Sequence, residues 1–302
     1  MVMEAIVRMS FYCFAAASFA FVGSAACYLV YAIGRIRFRQ AALATGMGPT
    51  VVAHEARLEP ASLGIGRFGT LLAWFGVVFQ ALSIALRSIA AGHLPLSNMY
   101  EFSSTFVLLA GLVYLLFERW YGVRHLGAIV IPLIVAMIAY IWLLPVGLRE
   151  INPLIPALQN QPLMTTHVSL AILAYATFSV AFAAAVLFLI AHRKRVAWLP
   201  SADLLDDLGF RAVTVGFPAM SLVLILGSVW AYRAWGTYWQ WDPKETAALF
   251  TWLIYGVYLH TRTLRGWRGD RSAIILIVGF GAVIFTYFGN YIFGGLHAYG
   301  GV

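Results

Sequence analysis

Three stretches of the 302-residue sequence, together with one isolated histidine, carry residue types that bind ligands or react. They read GHLPLSNMYEF at 92–102, WAYRAWGTYWQWDPKE at 230–245 and NYIFGGLHAYGG at 290–301; the histidine is His167. The middle stretch concentrates Trp230, Trp235, Trp239 and Trp241, with Tyr232 and Tyr238, into 12 residues. An interfacial aromatic belt accounts for some such rings. Four of the chain's 10 tryptophans in one loop point further, to a flat apolar platform with indole N–H groups to donate. His167 and His297 flank that loop in the sequence. Imidazole nitrogens reach haem iron from opposite faces of a planar, apolar macrocycle, so this combination suits haem. The propionates of such a ligand require a cation or a helix N-terminus, and Arg233 and Lys244 are the nearby cations.

The end of the tryptophan loop also has a local structural reading. Asp242-Pro243-Lys244-Glu245 spells a helix start, with Asp242 at the N-cap, Pro243 at the first helical position and Glu245 closing a capping box. Asp242 therefore reads first as a cap. That role is compatible with a ligand contact, because it brings the positive end of a helix dipole beneath the platform.

The elements that must position these residues follow from composition. The chain is 62% hydrophobic and only 11% charged, against about 25% charged in a soluble domain. A soluble enzyme and a disordered chain are excluded, and an all-α polytopic membrane protein remains. Eight apolar runs qualify as spans: 10–33, 68–90, 102–118, 126–145, 167–191, 212–233, 246–264 and 272–293. The first reads as a retained span, since its basic residues follow it. The net charge of +8 reads as membrane topology and not as a nucleic-acid surface. Of the 20 basic residues, 15 fall in alternate loops, which places those loops in the cytoplasm and both termini, with the tryptophan loop, on the outer side. The segment 34–66 is the longest polar-leaning stretch, and 195–210 reads as a short surface helix. Cys13 and Cys27 lie about 21 Å apart on an ideal helix, too far for a disulfide. With no C-x-x-C, the chain is neither a thiol oxidoreductase of that type nor a c-type haem protein itself.

The remaining histidines divide on these spans. His54 and His125 in cytoplasmic loops, and His192 at a span end, read as solvated, while His93 stands open between surface and site. His260 falls inside the seventh span, about 21 Å from its outward end. An ionisable group at membrane depth is a functional-site hypothesis by default.

The residues W-G-T-Y-W-Q-W-D-P-K-E at 235–245 and T-W-L-I-Y-G-V-Y-L-H-T-R at 251–262 resemble the tryptophan-rich WWD signature of haem-handling proteins of cytochrome c biogenesis. Within that group the chain is similar to the CcsA (ResC) family of the System II pathway. The likeness continues through P-L-S-N-M-Y-E at 95–101, T-H-V-S-L-A-I-L-A-Y at 166–175 and G-N-Y-I-F-G-G-L-H at 289–297. It divides the chain into 1–65, a first span and loop without motif, and a haem-handling domain over 66–302.

The resemblance implies haem b as cargo, with Trp235, Trp239, Trp241 and Asp242 contributing to its binding and His167 and His297 as outward axial ligands. It further implies an inner haem site at His260, completed by a histidine of a CcsB/ResB-like membrane partner. Haem then crosses to the outer face. There its vinyl groups are joined to the thiols of a C-x-x-C-H motif in apocytochrome c, with separate proteins keeping those thiols reduced. The implied location is a bacterial plasma membrane or a thylakoid membrane. No catalytic acid or base is identified. A CcmC-like exporter that loads a chaperone, a carrier of another planar or anionic solute, and a b-type electron-transfer cytochrome are the competing readings.

Overall fold

The computed structural model describes residues 2–44, 60–159, 161–194, 199–264 and 267–297. Among them, regular structure is entirely helical. Eight long helices follow one another: α1 (Val2–Ala44), α2 (Pro60–Ala91), α3 (Met99–Tyr121), α4 (Gly127–Leu143), α5 (Gln161–Lys194), α6 (Ala202–Trp235), α7 (Pro243–Thr261) and α8 (Asp270–Phe293). Each corresponds to one of the eight expected spans. Seven are long and apolar enough to cross a membrane. The exception is α7, whose apolar content is diluted by Lys244 and Glu245 in its first turn and His260 in its last.

Three boundaries differ from the sequence reading. The stretch 195–210 does not form a separate surface helix in its described part: from Ala202 it runs unbroken into the sixth span, started by Ser201, whose hydroxyl accepts from Leu204 N. No proline stands between Asp207 and Ala212, and the single Gly209 weakens a helix without ending it, so the charged turn and the apolar run join. Helix α5 begins at Gln161, so His167 does not open it but lies in its second turn. Helix α1 extends well past both ends of its apolar run. Residues 45–59, with His54, lie outside the described residues.

The helices pack as neighbours in pairs, α1 along α2, α5 along α6 and α7 along α8, with α5 also touching α3 and α8. Two buried polar nodes join the first pair to the rest. At one end of α3, Glu118 accepts from the hydroxyls of Tyr28 (2.6 Å), Thr70 (2.6 Å) and Tyr114, with Arg124 at 3.2 Å. At the other end, Arg87 of α2 meets Glu101 of α3 at 2.8 Å. Arg87 also donates to the carbonyls of Arg149 (2.8 Å) and Glu150 (3.1 Å). The second Glu101 oxygen accepts from Ser97 N (2.9 Å) and its hydroxyl (2.6 Å), which fixes the 92–98 loop. Buried charges persist only when paired and hydrogen-bonded in this way.

Candidate functional site

The 92–98 loop, the tryptophan loop and the segment after α8 converge on one pocket at the Glu101 end of α3. With its open mouth it encloses about 1100 Å³. Its walls are mostly apolar, from Leu96, Met99, Phe102, Leu158, Met164, Val168, Ala171 and Trp230, and both His167 and His297 line it.

His167 enters from α5. Its ring stacks on buried Trp230 of α6, with centroids 6.2 Å apart at 12°, and its Nδ1 lies 3.0 Å from the Val223 carbonyl. Gly227 makes this packing possible, since a β-carbon there would meet Cε1 of His167 at 2.7 Å.

His297 enters from the chain's return after α8. Gly294 and Gly295 take φ of 70° and 108°, a region that favours glycine and turns the chain back toward α7. The His297 ring then lies 5.6 Å from Trp230 and 4.9 Å from Trp235, the latter edge-on. Its Nδ1 donates to Asp242 Oδ1 at 2.8 Å, while Leu296 N donates to Oδ2 at 2.6 Å. Asp242 also caps α7 through Lys244 N at 3.0 Å, and Glu245 closes the capping box back onto the loop. The cap read from the sequence is thus present, and the same carboxylate holds a histidine. Burial works to raise the Asp242 carboxyl, but the hydrogen bond and charge of His297, with the N–H groups of Lys244 and Leu296, hold it below the ordinary value.

Both Nδ1 positions donate, so on each ring Nε2 carries the lone pair a metal needs. Among the described residues no group of three or more His, Cys, Asp or Glu is placed to hold a metal ion. Two imidazoles against an indole in an apolar pocket suit a metal that brings its own equatorial ligands, as haem iron does. The residues present therefore fit a haem.

The other expected site residues separate. Trp239 lines the pocket. Trp235 stands behind His297, 4.7 Å from Trp230. Trp241 is 68% exposed, has φ of 57° and meets Trp239 edge-on, so it does not line the cavity. Lys244 lines the pocket with its ammonium 5.8 Å over the Phe102 ring. Burial pushes its pKa down to about 8, against the opposing charge of Asp242. Arg233 is exposed and is not part of the lining. His260 is exposed in the last turn of α7, about 25 Å along the helix from Pro243. It is therefore not embedded in the packed core, and it lies apart from the pocket.

His93 bonds its own neighbour, the Leu94 carbonyl at 2.9 Å, and does not join the lining. His125 is half-buried, with Tyr31 5.2 Å away, and not solvated as its loop position suggested. Sequence reasoning left Gly227 and Met164 unmarked, and it counted Trp230 in the aromatic loop but left it out of the haem-binding set, which took Trp235, Trp239 and Trp241 instead. The helical spacing of Gly227 four residues after Val223 was the available signal, with no local mark to show which residue it faces.

Residues 96–297 match the family described as Cytochrome C assembly protein. The chain is 40% identical over 228 residues to the Cytochrome c biogenesis protein CcsA of Chlamydomonas reinhardtii, a match covering 72% of this chain and 64% of that protein. It is 35% identical to the protein of that name from Synechococcus elongatus, covering 83% and 93% respectively. For Mesostigma viride the identity is 34%, with 77% and 86% covered. Among solved structures the fold is similar to Cytochrome c Heme Lyase CcmF, with a TM-score of 0.60 and 17% identity, covering 98% of this chain and 50% of that one. The matched stretch opens at Leu96 and closes at His297, which are also the first and last residues of the pocket lining.

Proposed function

The chain belongs to the cytochrome c assembly protein family, and on that premise we propose that it carries haem b across a membrane and presents it for covalent attachment to apocytochrome c. The observation that carries this reading is the pair of imidazoles, His167 and His297, set on one indole with both Nδ1 atoms engaged. These two residues hold the iron, while Trp230 and Trp239 bound the ring. Lys244 supplies the charge that meets a propionate.

In this reading the chain works as one subunit with a CcsB/ResB-like membrane protein. The exposure of His260 supports a second, inner haem position whose other ligand comes from that partner. The tryptophan loop faces the outer side of a bacterial plasma membrane, or the lumen of a thylakoid. At the presented haem, the two thiols of a C-x-x-C-H motif add across the vinyl groups. Each S–H bond breaks, an S–C bond forms, and a proton goes to the other vinyl carbon, so the addition itself consumes no electrons. Separate thiol-reducing proteins keep the sulfurs in the free form.

The test is to purify the chain with and without the partner and record haem content and spectrum for wild type, His167→Ala and His297→Ala. The reading requires a six-coordinate, bis-histidine spectrum in wild type. Each alanine variant should lose that spectrum and stop maturing cytochrome c, with partial return on adding imidazole. Full maturation in either variant removes that histidine from the site. Haem export without thioether formation, in the presence of the partner and apocytochrome, would favour a CcmC-like exporter.

A further inference from the structure

We infer that Asp242 makes the two axial imidazoles unequal, holding His297 as the stronger, more anionic donor and leaving His167 as the weaker one. The inference rests on the haem reading of the pocket. It begins from what each Nδ1 donates to. For His167 the acceptor is a neutral backbone carbonyl, Val223 O, at 3.0 Å. For His297 it is a carboxylate, Asp242 Oδ1, at 2.8 Å. A carboxylate draws the Nδ1 proton and pushes electron density onto Nε2, whereas a carbonyl does so less.

The geometry goes beyond what a helix cap requires. Capping α7 uses the bonds from the first turn alone, from Lys244 N to Oδ1 at 3.0 Å and from the backbone N–H of Glu245 in the capping box. The other two bonds, from His297 Nδ1 and Leu296 N, come from the segment after α8. That segment reaches Asp242 only because residue 295 has no β-carbon. One built on Gly295 would collide with Asp242 Oδ2 and lie 2.9 Å from Pro243 Cδ. The carboxylate is buried, as is most of the His297 side chain, so water does not weaken the contact.

Two consequences follow. The stronger donor favours ferric over ferrous iron and lowers the midpoint potential. With haem bound, His167 would be the ligand more easily exchanged, so an incoming ligand would take its place and leave His297 on the iron. Asp242 is thus a positioning residue that acts through His297.

The test compares full-length wild type with Asp242→Asn, loaded with haem. Asparagine still caps a helix and still offers Nδ1 an oxygen, but without the charge. The expected result is retained haem with a ferric-to-ferrous affinity ratio about tenfold lower, a rise of about 59 mV in the one-electron midpoint. Carbon monoxide added to the ferrous protein should displace His167, and its Fe–CO vibration should shift between wild type and Asp242→Asn, because His297 stays opposite. An unchanged potential and an unshifted vibration overturn the inference.

A second measurement covers a variant that holds no haem. In the haem-free wild type, 15N resonances of His297 should report the Nδ1–H tautomer, and the Nε2–H tautomer overturns the inference. Wild type that takes up no haem overturns the reading of the pocket itself, and this inference with it. A loaded wild type with an indifferent Asn variant overturns only the asymmetry.

Discussion

Gly227 lies directly beneath His167: a β-carbon at 227 would sit 2.7 Å from Cε1 and 3.1 Å from Nδ1 of the imidazole. Gly227→Ala should therefore push the ring off Val223 O while leaving α6 helical, since alanine is the better helix former. Overpacking of this kind costs about 1–3 kcal/mol, which is about five- to 150-fold in affinity if the ligand geometry carries the cost. Haem titration and thermal unfolding of the same sample check it: occupancy should fall while the unfolding temperature moves little.

The tryptophans should not behave alike. Trp239 lines the cavity and Trp241 is largely exposed. Trp239→Ala should weaken haem binding by about tenfold, from lost apolar contact, and Trp239→Phe less. Trp241→Ala should leave haem binding unchanged. Trp241→Gly should raise stability by about 1 kcal/mol, because its φ of 57° is strained for a bulky residue. Equal haem loss in both alanine variants would mean that the exposed ring also reaches the ligand.

Lys244 stands at the start of α7, ahead of the apolar run, with a pKa pushed down to about 8 by burial. An anionic ligand group gains from its charge below that pH and loses the gain above it, so haem affinity should fall as pH rises through about 8. The haem-free protein should respond in the opposite sense. Between about 8 and the ordinary lysine value the unfolded chain binds the extra proton, so stability rises with pH across that window. Lys244→Met should flatten both curves and weaken haem binding at neutral pH. A pH-independent affinity in wild type would separate Lys244 from the propionates.

His260 is exposed, so His260→Ala should change stability by no more than about 0.5 kcal/mol. In the two-position route it should nonetheless deplete the pocket of haem in the assembled complex, because supply comes first. Haem per folded complex, measured with the partner present for wild type, His260→Ala and His297→Ala, decides the matter. Normal occupancy and normal maturation in His260→Ala would eliminate the inner position.

What the sequence made legible was local. Eight apolar runs announced eight long helices, and Asp242 to Glu245 announced the capping box, because both signals lie within a few neighbouring residues. His167 and His297 were marked as a pair by the motif between them. What joins them was not marked: His167 bonds a residue 56 positions away and His297 one 55 positions away. No periodicity encodes which indole of four both rings touch, or that Gly227 is the glycine beneath one of them. The junction of charged turn and apolar run in α6 was missed for a different reason. Hydropathy marks where a helix is apolar, while helicity continues as long as nothing breaks it.

The Arg87–Glu101 pair bears on modularity. The family match begins at Leu96, yet the cation that neutralises Glu101, and through it steadies Ser97 on the pocket wall, sits earlier in the chain on α2. Residues 96–297 grafted alone onto another scaffold would carry a buried carboxylate with its counter-charge left behind, a defect of about 3–5 kcal/mol. The stretch that defines the family is therefore not a transplantable unit, and the first helical pair, which carries no recognisable motif, is bound to the pocket by electrostatics.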